Sequence, residues 1–158
     1  MLSRFLFVRI GSLITGFFLL ATCSQLSGNG LRQIDISIAG QSLRVEVAAT
    51  AKDRNRGLMF RESLPENQGM LFVWPQAEYR NFWMKNTRIP LDIAFFDDQG
   101  FLINTHAMQP DPQTGEYADY PSAEPARYAV EVNQGWLANH SIRKFDQLIL
   151  PEAISSEK

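Results

Sequence analysis

The chain is poor in the residues that usually announce a mechanism. Of its 158 residues one is a cysteine, Cys23, and two are histidines, His106 and His140. A single cysteine excludes an internal disulfide framework and any zinc site built on several cysteines. Neither histidine has an obvious carboxylate partner along the chain, no H-E-x-x-H motif occurs, and Ser63 and Ser122 lie outside any nucleophile-elbow motif. An excess of one charge is also lacking. Lys and Arg number 15 against 17 Asp and Glu, a net charge of −2, and no basic patch dominates, so nucleic acid is not an expected partner. Internal repeats, heptads and low-complexity tracts are absent. What is present is 45% hydrophobic residues with eleven Phe, against 20% charged residues. That balance excludes a disordered polyelectrolyte, and the length suits one domain.

The first residues differ from the rest. Met1 to Thr22 carries Arg4 and Arg9 but no acid, followed by the apolar run Ile10–Ala21. A basic start and a short apolar run make a secretory signal peptide over residues 1–22. The run is shorter than the roughly 20 residues a membrane span needs. Leu20-Ala21-Thr22-Cys23 resembles the lipobox of bacterial lipoproteins, although Thr22 stands where Gly, Ala or Ser is usual. The resemblance implies that cleavage makes Cys23 the new N-terminus and that its thiol is acylated. Each buried acyl CH2 contributes roughly 0.8 kcal/mol, so the expected partner is a membrane, reached through an N-terminal lipid anchor. Ser24, rather than Asp, follows the cysteine. By the same resemblance this points to the periplasmic side of the bacterial envelope, at the outer membrane. Without residues 1–22 the chain has 136 residues and, having lost two arginines and no acid, a net charge of −4. Residues 23–30 read as a flexible polar tether, residues 31–152 as the folded domain and residues 153–158 as a tail.

The folded part reads as mainly β. Ile34, Ile36 and Ile38 alternate with polar residues, as do Leu43, Val45 and Val47, with Ala39-Gly40-Gln41-Ser42 between them, which predicts a hairpin with one wet face. Thr50-Ala51-Lys52-Asp53 predicts a capping box opening a short helix towards Met59. Further strand candidates are Met70–Trp74, Asn81–Met84, Leu91–Phe96, Phe101–Met108, Arg127–Val132 and Gln147–Leu150, with a helical turn near Trp136–His140. The Asp97-Asp98-Gln99-Gly100 turn makes a hairpin of the pair around it. About eight short strands at this spacing predict a single jelly-roll-like sandwich or small barrel with one or two short helices. From Gln109 to Ala126 four prolines and a glycine break any apolar pattern, and Tyr117 and Tyr120 would anchor that stretch as an ordered flap.

Arg56-Gly57-Leu58-Met59-Phe60-Arg61, then Gly69–Trp74, then Phe82-Trp83-Met84-Lys85-Asn86-Thr87 with Ile89-Pro90-Leu91-Asp92-Ile93, and finally Pro125–Glu131 and Ile142–Leu150, together resemble the domain of unknown function 192 family. The resemblance implies a mainly β fold, often behind an export signal. It implies no activity, because none is assigned to that family.

The residues themselves offer three chemistries. Lys85-Asn86-Thr87, Asp92, Arg56 and Arg61 could form the floor of a site for a small polar ligand, with Trp74 and Trp83 as walls. Asp92 interrupts an apolar strand and needs a partner, for which Arg56, Arg61 and Lys85 are the candidates. The bland alternative is a salt-bridge network that fixes how the helix packs on the sheet. Asp92 with Glu131 could instead form the acid/base pair of a hydrolase. Met84 with His106-Ala107-Met108 resembles the last part of the Met…His-x-Met motif of periplasmic copper chaperones, and thioether and imidazole suit Cu(I). Val73 occupies the place of that motif's first ligand. Trp74, Tyr79 and Trp83 are expected to pack in the core rather than form a sugar platform. The expectation is therefore a non-catalytic small-ligand or accessory module of the envelope, without a cofactor.

Overall fold

Strands β1 (Gln33–Ile38) and β2 (Gln41–Ala48) pair antiparallel, and their alternating isoleucines, leucine and valines are all buried on one face. The computed structural model describes residues 30–111, 113–151 and 154. The leader, Cys23, most of the tether and most of the tail therefore lie outside the described residues. The hairpin turn is two residues, not four. Ala39 and Gly40 both have positive φ, 50° and 79°, which suits the right-handed twist of the flanking strands and releases Gln41 and Ser42 into β2.

Helix α1 (Ala51–Arg56) starts where the sequence predicts. The Thr50 hydroxyl oxygen accepts from the Asp53 N–H at 3.1 Å, and the same hydroxyl donates to the Asp53 carboxylate at 2.6 Å. It stops short of Met59 because Gly57, at φ 49° and ψ −139°, turns the chain out while its N–H still donates to the Asp53 carbonyl at 2.9 Å. The chain then enters β3 (Gln68–Glu78), which lies parallel to β2.

The remaining strands are β4 (Asn81–Phe82), β5 (Leu91–Phe96), β6 (Leu102–Met108), β7 (Tyr120–Pro121), β8 (Ala126–Asn133) and β9 (Leu148–Ile149), with α2 (Trp136–Asn139) between the last two. Seven strands form one sheet in the order β6-β5-β8-β3-β2-β1-β9. Its two edges meet: Phe101 bridges to Gln147, the Leu102 N–H donates to the Asp146 carbonyl at 2.9 Å, and the Leu148 N–H donates to the Gly100 carbonyl at 2.8 Å. The sheet is thus curled into a barrel-like form, which is the small-barrel branch of the expectation. Closure leaves few strand edges unpaired.

Two apolar clusters lie on the two faces of the sheet. The inner one gathers side chains from around the curl, including Ile36, Val45, Leu71, Phe96, Val130 and Leu148. The outer one comprises Met70, Phe72, Ile93, Phe95 and Ala129, covered by Leu58, Leu64 and Met84 from the connecting segments. The second sheet, β4 with β7, lies within those coverings. Asn81–Met84 is therefore only half strand, and the proline-rich stretch contributes a strand that its sequence did not announce. The described residues of that stretch form a flap: the Gln109 N–H donates to the Tyr120 hydroxyl at 3.2 Å, and the Tyr117 ring packs 6.2 Å from Trp83.

A candidate ligand cleft on the outer face of the sheet

Strand β8 runs between β3 and β5, so the outward side chain of Glu131 stands between Met70 and Ile93, its partners in register. Only 5% of Glu131 is exposed, and its Oε2 has no hydrogen-bond partner. An unpartnered buried polar atom is costly and rare. Burial disfavours the charged form and pushes the carboxyl up to about 8. At neutral pH Glu131 is accordingly a neutral acid, able to donate as well as accept.

Above Glu131 is a cleft of about 570 Å³, within the range of small-molecule sites. One wall is aromatic. Phe72 and Phe82 meet edge to face with centroids 5.0 Å apart, Trp74 lies 6.1 Å from each, and Trp83 stands at the rim, 54% exposed. The opposite chemistry comes from Arg54 and Arg56 of α1 and from Arg80, just after β3. The Arg80 guanidinium lies 4.6 Å from the Trp74 ring centre and that of Arg54 5.8 Å from it. Both are held in place. Arg54 Nη1 donates to the carbonyls of Ala49 and, at 2.9 Å, Val73; Arg80 donates to the carbonyls of Gln76 at 2.7 Å and Ala126 at 3.2 Å. Burial lowers the pKa of both guanidiniums, with the Glu78 carboxylate countering it at Arg80. An arginine nevertheless stays charged. The Arg80 N–H in turn donates to the buried Ser122 hydroxyl at 2.9 Å.

Of the residues singled out in the sequence, the cleft brings together Arg56, Trp74, Trp83, Thr87 and Glu131. It does not bring in Arg61, Lys85, Asn86 or Asp92. Arg61 makes a two-pronged ion pair with Glu46, at 2.7 and 2.6 Å. Lys85 is exposed, its Nζ 5.7 Å from the Trp83 ring centre. Asn86 has a backbone role: at φ 57° it donates its N–H to the Asp111 carboxylate at 2.7 Å and accepts from the Phe60 N–H at 2.8 Å.

Asp92 has none of its expected cationic partners. It lies on the other face of β5, where it accepts the Gly135 N–H at 2.9 Å and the Leu137 N–H at 3.4 Å, the start of α2. Burial raises its pKa and those two N–H groups pull it back. The acid/base pair is corrected on the same ground: Asp92 is in register with Val132 and Glu131 with Ile93, so the two carboxyls project from opposite faces.

Met84 and Met108 are buried together in the outer cluster, whereas Val73 belongs to the inner one. His106 Nε2 lies 2.8 Å from the Pro121 carbonyl, and its ring is flanked by Phe95 and Tyr120. These three are packed as core and flap supports. Tyr79 and Trp83, expected in the core, are exposed at the cleft mouth, whereas Trp74 is half-buried as its wall.

Arg54 and Arg80 are the cleft residues that sequence reasoning missed. Glu131 carries the same sequence signal as Asp92, an acid inside an apolar strand.

The family model DUF192, described as an uncharacterised ACR, matches residues 34–150. Among curated proteins none matches. Two solved structures are similar. One, a protein of unknown function from Novosphingobium aromaticivorans DSM 12444, is 31% identical with a TM-score of 0.70, over 80% of this chain and 89% of that one. The other, from Sinorhizobium meliloti 1021 and named as a proposed transcription regulator, is 28% identical with a TM-score of 0.66, over 77% of this chain and 95% of that one.

Proposed function

The chain belongs to the DUF192 family, and from that premise we propose that it is a non-catalytic small-ligand-binding module whose site is the cleft above Glu131. One observation carries this reading: a carboxyl oxygen buried at the cleft floor with no partner of its own. A group like this destabilises the empty domain, and a ligand that hydrogen-bonds to it would recover the loss. The walls fit the same use, since apolar and aromatic surface with a few fixed polar groups is the usual make-up of a small-molecule site.

A thermal-shift screen of small polar compounds against the full chain tests the reading. Compounds that raise the melting temperature of the wild type should lose that effect in Glu131→Leu and keep it in Arg61→Ala, whose side chain points elsewhere. Compounds that stabilise the wild type and Glu131→Leu equally would place the site away from the cleft.

The module is further proposed to be exported and held to the bacterial envelope through acylated Cys23, at the outer membrane. The support is the basic-then-apolar leader ending in Leu20-Ala21-Thr22-Cys23. Labelled palmitate should be incorporated into the wild type and not into Cys23→Ala. Equal labelling of both would overturn the anchor.

A further inference from the structure

We propose that the cleft selects a small oxyanion with a flat apolar body, its charged head held by Arg54 and Arg80 and one accepting oxygen set against Glu131. This rests on the reading of the cleft as a ligand site and adds the chemical class of the ligand.

The charge of the lining decides the sign. Arg54, Arg56 and Arg80 border the cleft, and Glu131 is its one acid among the described residues. With that acid neutral the lining carries three guanidiniums and no carboxylate; Glu78, outside the lining, offsets Arg80 at 3.1 Å, and the balance that remains favours an anion over a cation. The donors decide the head. Arg54 Nη1 is fixed by backbone carbonyls, and Arg80 by the Gln76 and Ala126 carbonyls and the Glu78 carboxylate at 3.1 Å, so the N–H groups they have left are held ready without a ligand-induced rearrangement. Glu131, as a neutral acid, adds an O–H donor and would place it where an oxyanion accepts. The walls decide the body: Trp74, Phe72 and Phe82 make a fixed aromatic corner, and Trp83 is an exposed ring at the mouth. A flat hydrocarbon has surface to bury there, which a bare inorganic anion lacks.

Binding then depends on pH through Glu131. In register on its own sheet it meets Met70 and Ile93; among the described residues that line the cleft, the charged or titratable groups facing it are Arg54 and Arg56 of α1 and Tyr79 and Arg80 before β4, with Glu78 paired to Arg80 behind them. Above about pH 8 the acid ionises, its donor is lost, and it repels the bound head. For a carboxylate, whose own charge is fixed over this range, affinity should be constant from pH 6 to 7 and fall up to about tenfold per pH unit beyond the transition.

The test uses four probes on the full chain: benzoate, phenyl phosphate, benzylamine and N-acetylglucosamine, followed by the indole N–H resonances of the three tryptophans. Trp74 and Trp83 line the cleft, while Trp136 is tied to Asn67 elsewhere and serves as the internal control. Benzoate or phenyl phosphate should shift Trp74 and Trp83 and leave Trp136 unmoved, and the two arms separate carboxylate from phosphate heads. Arg54→Gln should weaken that binding at least tenfold. Glu131→Gln, which keeps a neutral donor, should bind with its pH dependence abolished. Benzylamine or the neutral sugar moving Trp74 and Trp83 while the anions do not would overturn the oxyanion and leave the site. No probe moving those two resonances would overturn both.

Discussion

Asp92 and Glu131 sit one register step apart on adjacent strands, yet on opposite faces of the sheet: Asp92 stands beside Val132, and Glu131 beside Ile93. One acid is satisfied by the start of a helix, and the other keeps one buried oxygen, Oε2, with no partner among the described residues. Their roles separate accordingly into a structural acid and, on the proposed reading of the cleft, a ligand-facing one.

Asp92→Ala should lower stability by about 1–3 kcal/mol, because it leaves the Gly135 and Leu137 N–H groups buried without an acceptor. Asp92→Asn, which keeps one acceptor oxygen, should lose less than half as much. Urea denaturation at neutral pH measures both. Equal losses would mean that the negative charge matters more than the acceptor.

Glu131 makes the domain less stable as pH rises. Its carboxyl ionises near the ordinary value of 4.5 when unfolded and near 8 when folded, so between those limits the native state holds a proton that the unfolded state has lost. Stability from this group is full below about pH 4.5, falls by as much as about 1.4 kcal/mol per pH unit above it, and is flat again beyond about pH 8. Glu131→Gln should remove that slope and exceed the wild type in stability at pH 8. Denaturant midpoints of the two proteins across this range provide the comparison.

Gly69 lies where β3 passes β8 beside the cleft floor, and a methyl group there would stand 2.4 Å from the Glu131 carbonyl oxygen. Backbone must move to admit it, so Gly69→Ala should cost about 1–3 kcal/mol. The mild control is Thr50→Ala, which removes the cap of α1 for about 1 kcal/mol. Thermal denaturation should rank the two in that order.

The Arg61–Glu46 pair is partly solvent-exposed, and its loss should be small and salt-dependent. Arg61→Ala should lower stability by no more than about 1 kcal/mol. It should also leave ligand-induced tryptophan shifts intact, whereas Arg54→Gln weakens the binding behind them at least tenfold. A large binding defect in Arg61→Ala would return that residue to the site.

Local structure was legible wherever a residue acts on its own neighbours. The alternation in Ile34–Ile38 and Leu43–Val47 gave the hairpin, and Thr50 with Asp53 gave the start of α1. The end of α1 depended on Gly57, a glycine at positive φ within a stretch otherwise compatible with helix. Pairing was less legible. That β3 lies parallel to β2, and that Gln147 closes on Phe101, follow from packing over long separations that period-two alternation does not encode. The site suffered from the same silence. Strand β5 is buried on both faces and β8 nearly so, so nothing in either sequence says which way Asp92 or Glu131 points. Arg80 follows a stretch in which β3 changes register between Val73 and Glu78, an irregularity with no marker in the sequence.

The decisive group is the Glu131 carboxyl, raised towards neutrality by burial and with its Oε2 unpartnered, at the floor of the proposed ligand cleft. Its side-chain carboxyl ¹³C resonance, assigned by its absence in Glu131→Gln, can be titrated from pH 5 to 10 with and without saturating benzoate. The account predicts a single transition near pH 8 that moves upward when benzoate is bound, because the oxyanion favours the protonated acid. A transition near the ordinary 4.5, or one that benzoate leaves in place, would contradict it.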